Sequence, residues 1–222
     1  MKAPEALLFD FGGTLDSDGV AWKDRFFALL SDEGARVPAS EFERAFYSAD
    51  DALVGALPRD LALGETVGRL AEGVARALGL ESRVGDRVAA RFLEESRAKL
   101  TANAPFLERL SSRFRLGVVS NFYGNLESVC AETGIGQYLA AAVDSAAVGF
   151  QKPDRRIFEA ALAALGSPAE NALFIGDSLP RDMGGARQIG MPHVWLAPGA
   201  REACCPGDAV IGRLEQLAEV LA

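Results

Sequence analysis

The feature that most restricts what this chain can fold into is an alternation of strand and helix patterns that begins, breaks off and resumes. Residues 6–10 form a short apolar run that ends in Asp10 and is halted by Gly12 and Gly13, the length and punctuation of a buried strand followed by a tight turn. The pattern then changes to helices. Trp22, Phe26, Leu29 and Leu30 share one face, and Ser40 with Glu43 has the spacing of a capping box ahead of Phe42, Phe46 and Leu53. Val67, Leu70, Val74 and Leu78 make a third stripe, and Val84, Val88 and Phe92 a fourth. After Pro105 the apolar runs return at residues 116–119, 140–143, 172–175 and 194–196, with a shorter one at 209–211 and helical segments between them.

Strands alternating with helices imply an α/β fold with a doubly wound parallel sheet, covered on both faces and binding ligands at the carboxyl ends of its strands. The helical stretch interrupts that sheet after its first strand and therefore reads as an insertion. The expected division is a sheet domain from residues 1–16 and 101–222, with an inserted helical module from 17–100. No internal repeat and no low-complexity segment interrupts either part.

Composition narrows the partners. Of 222 residues, 49% are hydrophobic and 24% charged, enough for one substantial core with an inserted module. The formal net charge of −8 provides no general basic field for nucleic acid or an anionic membrane, so any charge that holds a phosphate must be local. The first residues leave no room for a charged segment and an apolar leader ahead of Asp10, and no apolar run approaches the roughly 20 residues of a membrane span. Cys130, Cys204 and Cys205 lack metal-ligand spacing and cannot pair completely. The expectation is a cytoplasmic protein, monomer or homodimer, with a small-molecule partner, no nucleic acid and no membrane.

Four polar clusters each follow an apolar run: Asp10; Ser120 and Asn121; Lys152; and Asp177 with Asp182. A parallel sheet brings such positions to one edge although they lie far apart in sequence. A carboxylate can attack phosphorus directly and split hydrolysis into two displacements, but it does so against its own charge and that of the substrate. Asp177 and Asp182, with Asp10, can hold a hard cation such as Mg²⁺ through oxygen. Lys152 can neutralise phosphate and orient Asp10, while the Ser120 hydroxyl and nearby backbone N–H groups can donate to phosphoryl oxygens.

These clusters, in this order, resemble the motifs of the haloacid dehalogenase (HAD) superfamily. Asp10-Phe11-Gly12-Gly13-Thr14-Leu15 resembles its first motif and Val118-Val119-Ser120-Asn121 its second. Lys152-Pro153-Asp154 with Ile157-Phe158 resembles the third, and Ile175-Gly176-Asp177-Ser178 with Asp182 and Gly185-Ala186 the fourth. The resemblance implies a sheet of order 5-4-1-2-3 beneath a helical cap of the first type. It also implies Asp10, Ser120 and Lys152 as catalytic residues, and Asn121, Gly13 and Thr14 around the substrate. Asp10, Asp177, Asp182 and the Gly12 carbonyl are the implied ligands of Mg²⁺. Arg59, beside Pro58 between two cap helices, is a candidate for a second anionic group of the substrate.

The chain departs from the family's phosphatases at Gly12, where they carry an Asp that protonates the leaving group and then activates water. Glycine cannot supply such catalysis, which is worth about 10²–10⁴-fold. The expected activity is Mg²⁺-dependent hydrolysis of a small organic phosphate through an aspartyl phosphate on Asp10. Its leaving group would be a good one, or a different acid would serve; Asp16 and Asp18 are close in sequence. Alternatives are a 2-haloacid dehalogenase-like or other carbon-bond hydrolase, since halide needs no proton to leave, or a phosphate-binding protein of low turnover. Gly12→Asp would restore the acid if the backbone there accepts a side chain.

Overall fold

The computed structural model describes residues 3–200 and 209–222; Cys204 and Cys205 lie outside the described residues. The first strand, β1 (Ala6–Phe9), leads through the Gly12–Gly13 turn into four helices, α1 (Trp22–Asp32), α2 (Ala39–Leu53), α3 (Leu63–Ala77) and α4 (Ser82–Ser111). The alternation resumes with β2 (Arg115–Ser120), α5 (Leu126–Glu132), β3 (Ala141–Asp144), α6 (Ser145–Val148), α7 (Arg155–Leu165), β4 (Ala172–Gly176) and α8 (Gly184–Gln188). It closes with β5 (His193–Leu196), β6 (Ala209–Ile211) and α9 (Leu217–Val220).

All strand pairs are parallel, in the order β3-β2-β1-β4-β5-β6. This is the expected 5-4-1-2-3 order with a sixth strand added beyond β5. Period-two alternation splits β1 between the two faces. Leu7 and Phe9 join the apolar cluster that includes the inserted helices and α5, whereas Ala6 and Leu8 pack with Ile157, Phe158 and Met183 on the other side. Every residue of β1 is fully buried, which is why the run is continuously apolar rather than alternating.

Aromatic packing organises the insertion. Phe92 of α4 lies 5.1 Å from the Trp22 ring and 4.7 Å from that of Phe26, spacings at which edge and tilted ring pairs attract. Helix α4 runs through Pro105 without a break, so the expected boundary at residue 100 falls inside one helix that continues from the insertion into the sheet layer. The capping box expected from Ser40 and Glu43 does not form. Helix α2 begins behind Pro38 with no side-chain cap, and Glu43 instead takes an ion pair from Lys23 at 2.6 Å. Among the described residues no helix is long and apolar enough to cross a membrane.

Candidate active site

β1 ends one residue before Asp10, whose amide donates to the Ile175 carbonyl of β4 at 2.9 Å and so continues the ladder by one step. That anchors the carboxylate at the carboxyl edge of the sheet, in the middle of the strand order. Oδ1 of Asp10 accepts the Ser120 hydroxyl at 2.8 Å and the Lys152 ammonium at 2.6 Å. Lys152 also donates to Oδ1 of Asp182 at 2.6 Å, and the lysine and Asp182 are both buried. Burial alone would lower the lysine's pKa, but the adjacent charges and hydrogen bonds of Asp10 and Asp182 outweigh it and raise it. Lys152 is therefore a fixed cation.

Asn121 fastens this lysine from behind. Its amide donates to the Lys152 carbonyl at 3.1 Å, and its Oδ1 accepts the Lys152 N–H at 2.7 Å. The expected substrate contact at Asn121 is thus joined by a positioning task.

Asp10, Asp177 and Asp182 converge, with ligand oxygens within 4.8 Å of one another. Burial, then the charges of Asp10 and Asp182, raises the Asp177 carboxyl to about 8. Burial also raises Asp182, against the pull of Lys152. Two carboxyls held above their ordinary range beside a third are a site short of positive charge, the condition that a divalent ion relieves.

Gly13 and Thr14 hold the site together. The Thr14 hydroxyl donates to Asp177 at 3.1 Å. Their amides are already engaged, that of Gly13 by Asp16 Oδ1 at 2.8 Å and that of Thr14 by the Phe11 carbonyl at 3.2 Å. Neither amide is left for a phosphate, because the turn spends them on its own closure. Gly13 has φ +96°, and a Cβ there would come within 2.6 Å of Asp177 Oδ2. Gly13→Ala is expected to cost about 1–3 kcal/mol from the backbone strain and to weaken divalent-ion affinity by displacing Asp177. Denaturant midpoints and ion titration check this, and a variant unchanged in both would refute it.

The position of the missing acid is filled by a ring. Gly12 does not lie in the left-handed region, so its backbone accepts a side chain, but a Cβ would meet the Trp22 indole at 3.0–3.4 Å. Gly12→Asp therefore cannot restore the acid unless Trp22 moves. Neither acid close in sequence replaces it. Asp16 is buried under four donors: Gly13 N at 2.8 Å, Trp22 Nε1 at 2.8 Å, Arg25 Nη1 at 2.9 Å and Ser96 Oγ at 3.0 Å. Asp18 pairs with Lys99 at 2.7 Å and accepts the Leu214 amide at 3.3 Å.

A cavity of about 410 Å³ opens over Asp10 between the sheet edge and the inserted helices. Gly12, Ser120, Asn121 and Lys152 line its floor, and Trp22, Lys23, Tyr47 and Asp50 are among the residues that the inserted helices contribute. Arg59 stays exposed in the α2–α3 connection and does not line this cavity. The arginine that does is Arg181, one residue before Asp182. Its adjacency to a ligand candidate is a signal the sequence offers; for Asp50, one acid among several on an amphipathic helix, it offers none.

A doubly wound parallel sheet whose carboxyl edge carries a lysine clamped between aspartates, under a helical insertion, defines a class of α/β hydrolases. The chain belongs to the haloacid dehalogenase-like hydrolase family, whose model matches residues 4–190. It is 44% identical over 86 residues to haloacid dehalogenase-like hydrolase domain-containing protein 3 of Bos taurus, covering 38% of this chain and 34% of that protein. It is 32% identical over 133 residues to the phosphoserine phosphatase of Thermus thermophilus, covering 59% of this chain and 53% of that one. The chain thus spans about a third to a half of the length of these curated relatives. Among solved structures, the magnesium-bound HAD-hydrolase YfnB of Bacillus subtilis superposes with a TM-score of 0.62 at 24% identity over 99% of each chain. A 2-haloacid dehalogenase of Pseudomonas syringae superposes with a TM-score of 0.57 at 25% identity over 98% of each. Likeness to these two structures at such identity is a likeness of fold.

Proposed function

We propose that this chain is a Mg²⁺-dependent phosphatase of small organic phosphates that works through an aspartyl phosphate on Asp10. The observation that carries this reading is the acidic group of Asp10, Asp177 and Asp182 beside Lys152. Its donors are hard carboxylate oxygens, which fit Mg²⁺, and the phosphoserine phosphatase relative supports the substrate class. Asp10, Asp177, Asp182 and the Gly12 carbonyl would hold the ion, which when bound neutralises phosphoryl charge.

The chain's own residues do the rest. Ser120 and Lys152 hold the Asp10 carboxylate in one orientation, so attack on phosphorus needs no reorganisation of the nucleophile. The same two donors stand beside the oxygens on which charge collects. Asn121, fixed to the Lys152 backbone, keeps the cation in place, and Thr14 holds Asp177.

A second reading rests on one observation, the lack of a carboxyl side chain at position 12. Hydrolysis of a carbon–halogen bond would not miss it, because halide leaves unprotonated. One assay separates the two readings, with an aryl phosphate and a 2-haloacid as substrates and both phosphate and halide release measured. Phosphate release that requires Mg²⁺ and stops with a chelator is expected, with no halide release. Asp177→Asn should lower ion affinity and turnover together, by at least the roughly 10–100-fold that loss of a ligand's supporting partner costs. Halide release, or phosphate release indifferent to chelator and to Asp177→Asn, would overturn the phosphatase reading.

A further inference from the structure

With no side chain at Gly12, a proton for a poor leaving group such as an alkoxide has to come from another wall of the cavity. The ring that fills the Gly12 space faces the wrong way to supply it, since the Trp22 N–H is turned into Asp16. Trp22 lies against Phe122 at 5.8 Å and Tyr123 at 6.5 Å, and this ring layer ends at Asp50. The Tyr123 hydroxyl donates to Asp50 Oδ1 at 2.5 Å, which commits the phenol proton. No other hydrogen bond to the Asp50 side chain occurs among the described residues, leaving Oδ2 for a ligand.

Asp50 is held on the wall of the cavity that Asp10 also lines. The Gly55 amide, just past α2, donates to the Tyr123 carbonyl at 3.2 Å, so both the backbone and the side chain of Tyr123 grip the end of that helix. Asn125, two residues on, donates to Leu61 O at 2.9 Å and Thr66 Oγ1 at 2.7 Å and ties down the next cap segment. Tyr47, Asp50, Asp51 and Val54, at i, i+3, i+4 and i+7, turn one helical face to the cavity. The other cap carboxylates on the wall, Asp24 and Asp51, are exposed, whereas Asp50 is half-buried.

We propose that Asp50 is the general acid and base that position 12 lacks, an inference that rests on the phosphatase reading. As Asp10 attacks and the bond from phosphorus to the leaving oxygen breaks, that oxygen takes the Asp50 proton and departs as an alcohol. The Asp50 carboxylate then accepts a proton from the water that attacks the aspartyl phosphate, and breakage of the phosphorus–Asp10 bond returns both carboxyls to their starting state. Burial, then the neighbouring Asp51, raises the Asp50 carboxyl, while the Tyr123 hydrogen bond and the Arg181 charge oppose this. A carboxyl so raised keeps its proton closer to neutral pH. Lys23 is a further charged group on this wall, paired with Glu43 and standing over Tyr47.

The test compares the wild type with Asp50→Asn, which keeps an acceptor for Tyr123, on an alkyl and an aryl phosphate with Mg²⁺. The wild type should hydrolyse both. The variant should lose about 10²–10⁴-fold on the alkyl ester and less than about 10-fold on the aryl ester, whose leaving group needs less protonation, so the aryl rate also reports an intact fold. The alkyl profile should lose its alkaline limb in the variant. Equal loss on both esters, no loss on either, or a wild type confined to aryl esters would overturn the role of Asp50 while leaving the phosphatase reading standing. A wild type that releases phosphate from neither ester would remove that reading, and this proposal with it.

Discussion

Asp10→Asn is expected to lower turnover by about 10⁴-fold or more while the protein stays folded. The amide keeps the shape of the carboxylate, and its Oδ1 can still accept from Ser120 at 2.8 Å and Lys152 at 2.6 Å. What it loses is nucleophilicity, because an amide oxygen forms no stable bond to phosphorus. The substitution also removes one of the charges that raise Asp177 and Asp182, so thermal stability without metal should hold or increase. Single-turnover phosphate release and a thermal melt check the two halves separately. A variant that remains active would remove Asp10 from the chemistry, and one that is inactive because it unfolds would leave the nucleophile undecided and require Asp10→Glu.

Lys152→Met is expected to have the larger effect on stability, about 3–5 kcal/mol, the range for a buried ion pair that loses one partner. The lysine is 4% exposed and is clamped between Asp10 and Asp182. Its raised pKa places its stabilising charge across the whole neutral range, lost only at strongly alkaline pH. Without it, Asp177 and Asp182, both already raised, face each other and Asp10 with no cation. A carboxyl whose folded pKa lies above its unfolded one binds protons preferentially in the folded state, so its destabilising effect is absent at acid pH. That effect grows as pH rises from about 4 toward 8. The variant should therefore be closer to wild type at pH 5.5 than at pH 7.5, and Mg²⁺ should recover part of the difference at pH 7.5 by mass action. Urea unfolding at the two pH values, with and without Mg²⁺, is the measurement. Equal stability of variant and wild type at pH 7.5 would mean that the carboxylates are neutralised by something other than this lysine. Turnover should fall with the substitution at both pH values, since Asp10 loses one of the two donors that orient it.

The sheet and its chemical edge were legible in the chain because both are encoded locally. A buried parallel strand must be apolar throughout, so each expected run coincides with a strand to within about a residue, from β1 to the three-residue β6. Asp10, Ser120, Lys152, Asp177 and Asp182 stand out as polar residues following such runs, and parallel topology alone carries them to one edge. Only the tertiary structure decided what depends on one layer docking on another. Arg59 is the cation that the sequence reading singles out, yet Arg181 lines the cavity and Arg59 does not. Gly12 reads as a deletion until Trp22, ten residues on and across the turn, is seen to fill its space. Asp50 is an ordinary acid of an amphipathic helix until Tyr123 is seen to hold it on the wall of the cavity that Asp10 lines. Periodicity states which face of a helix is buried but not which residue of a partly exposed face meets a particular loop. That depends on the angle and register at which the inserted helices settle on the sheet, and these are set by packing among residues far apart in the chain.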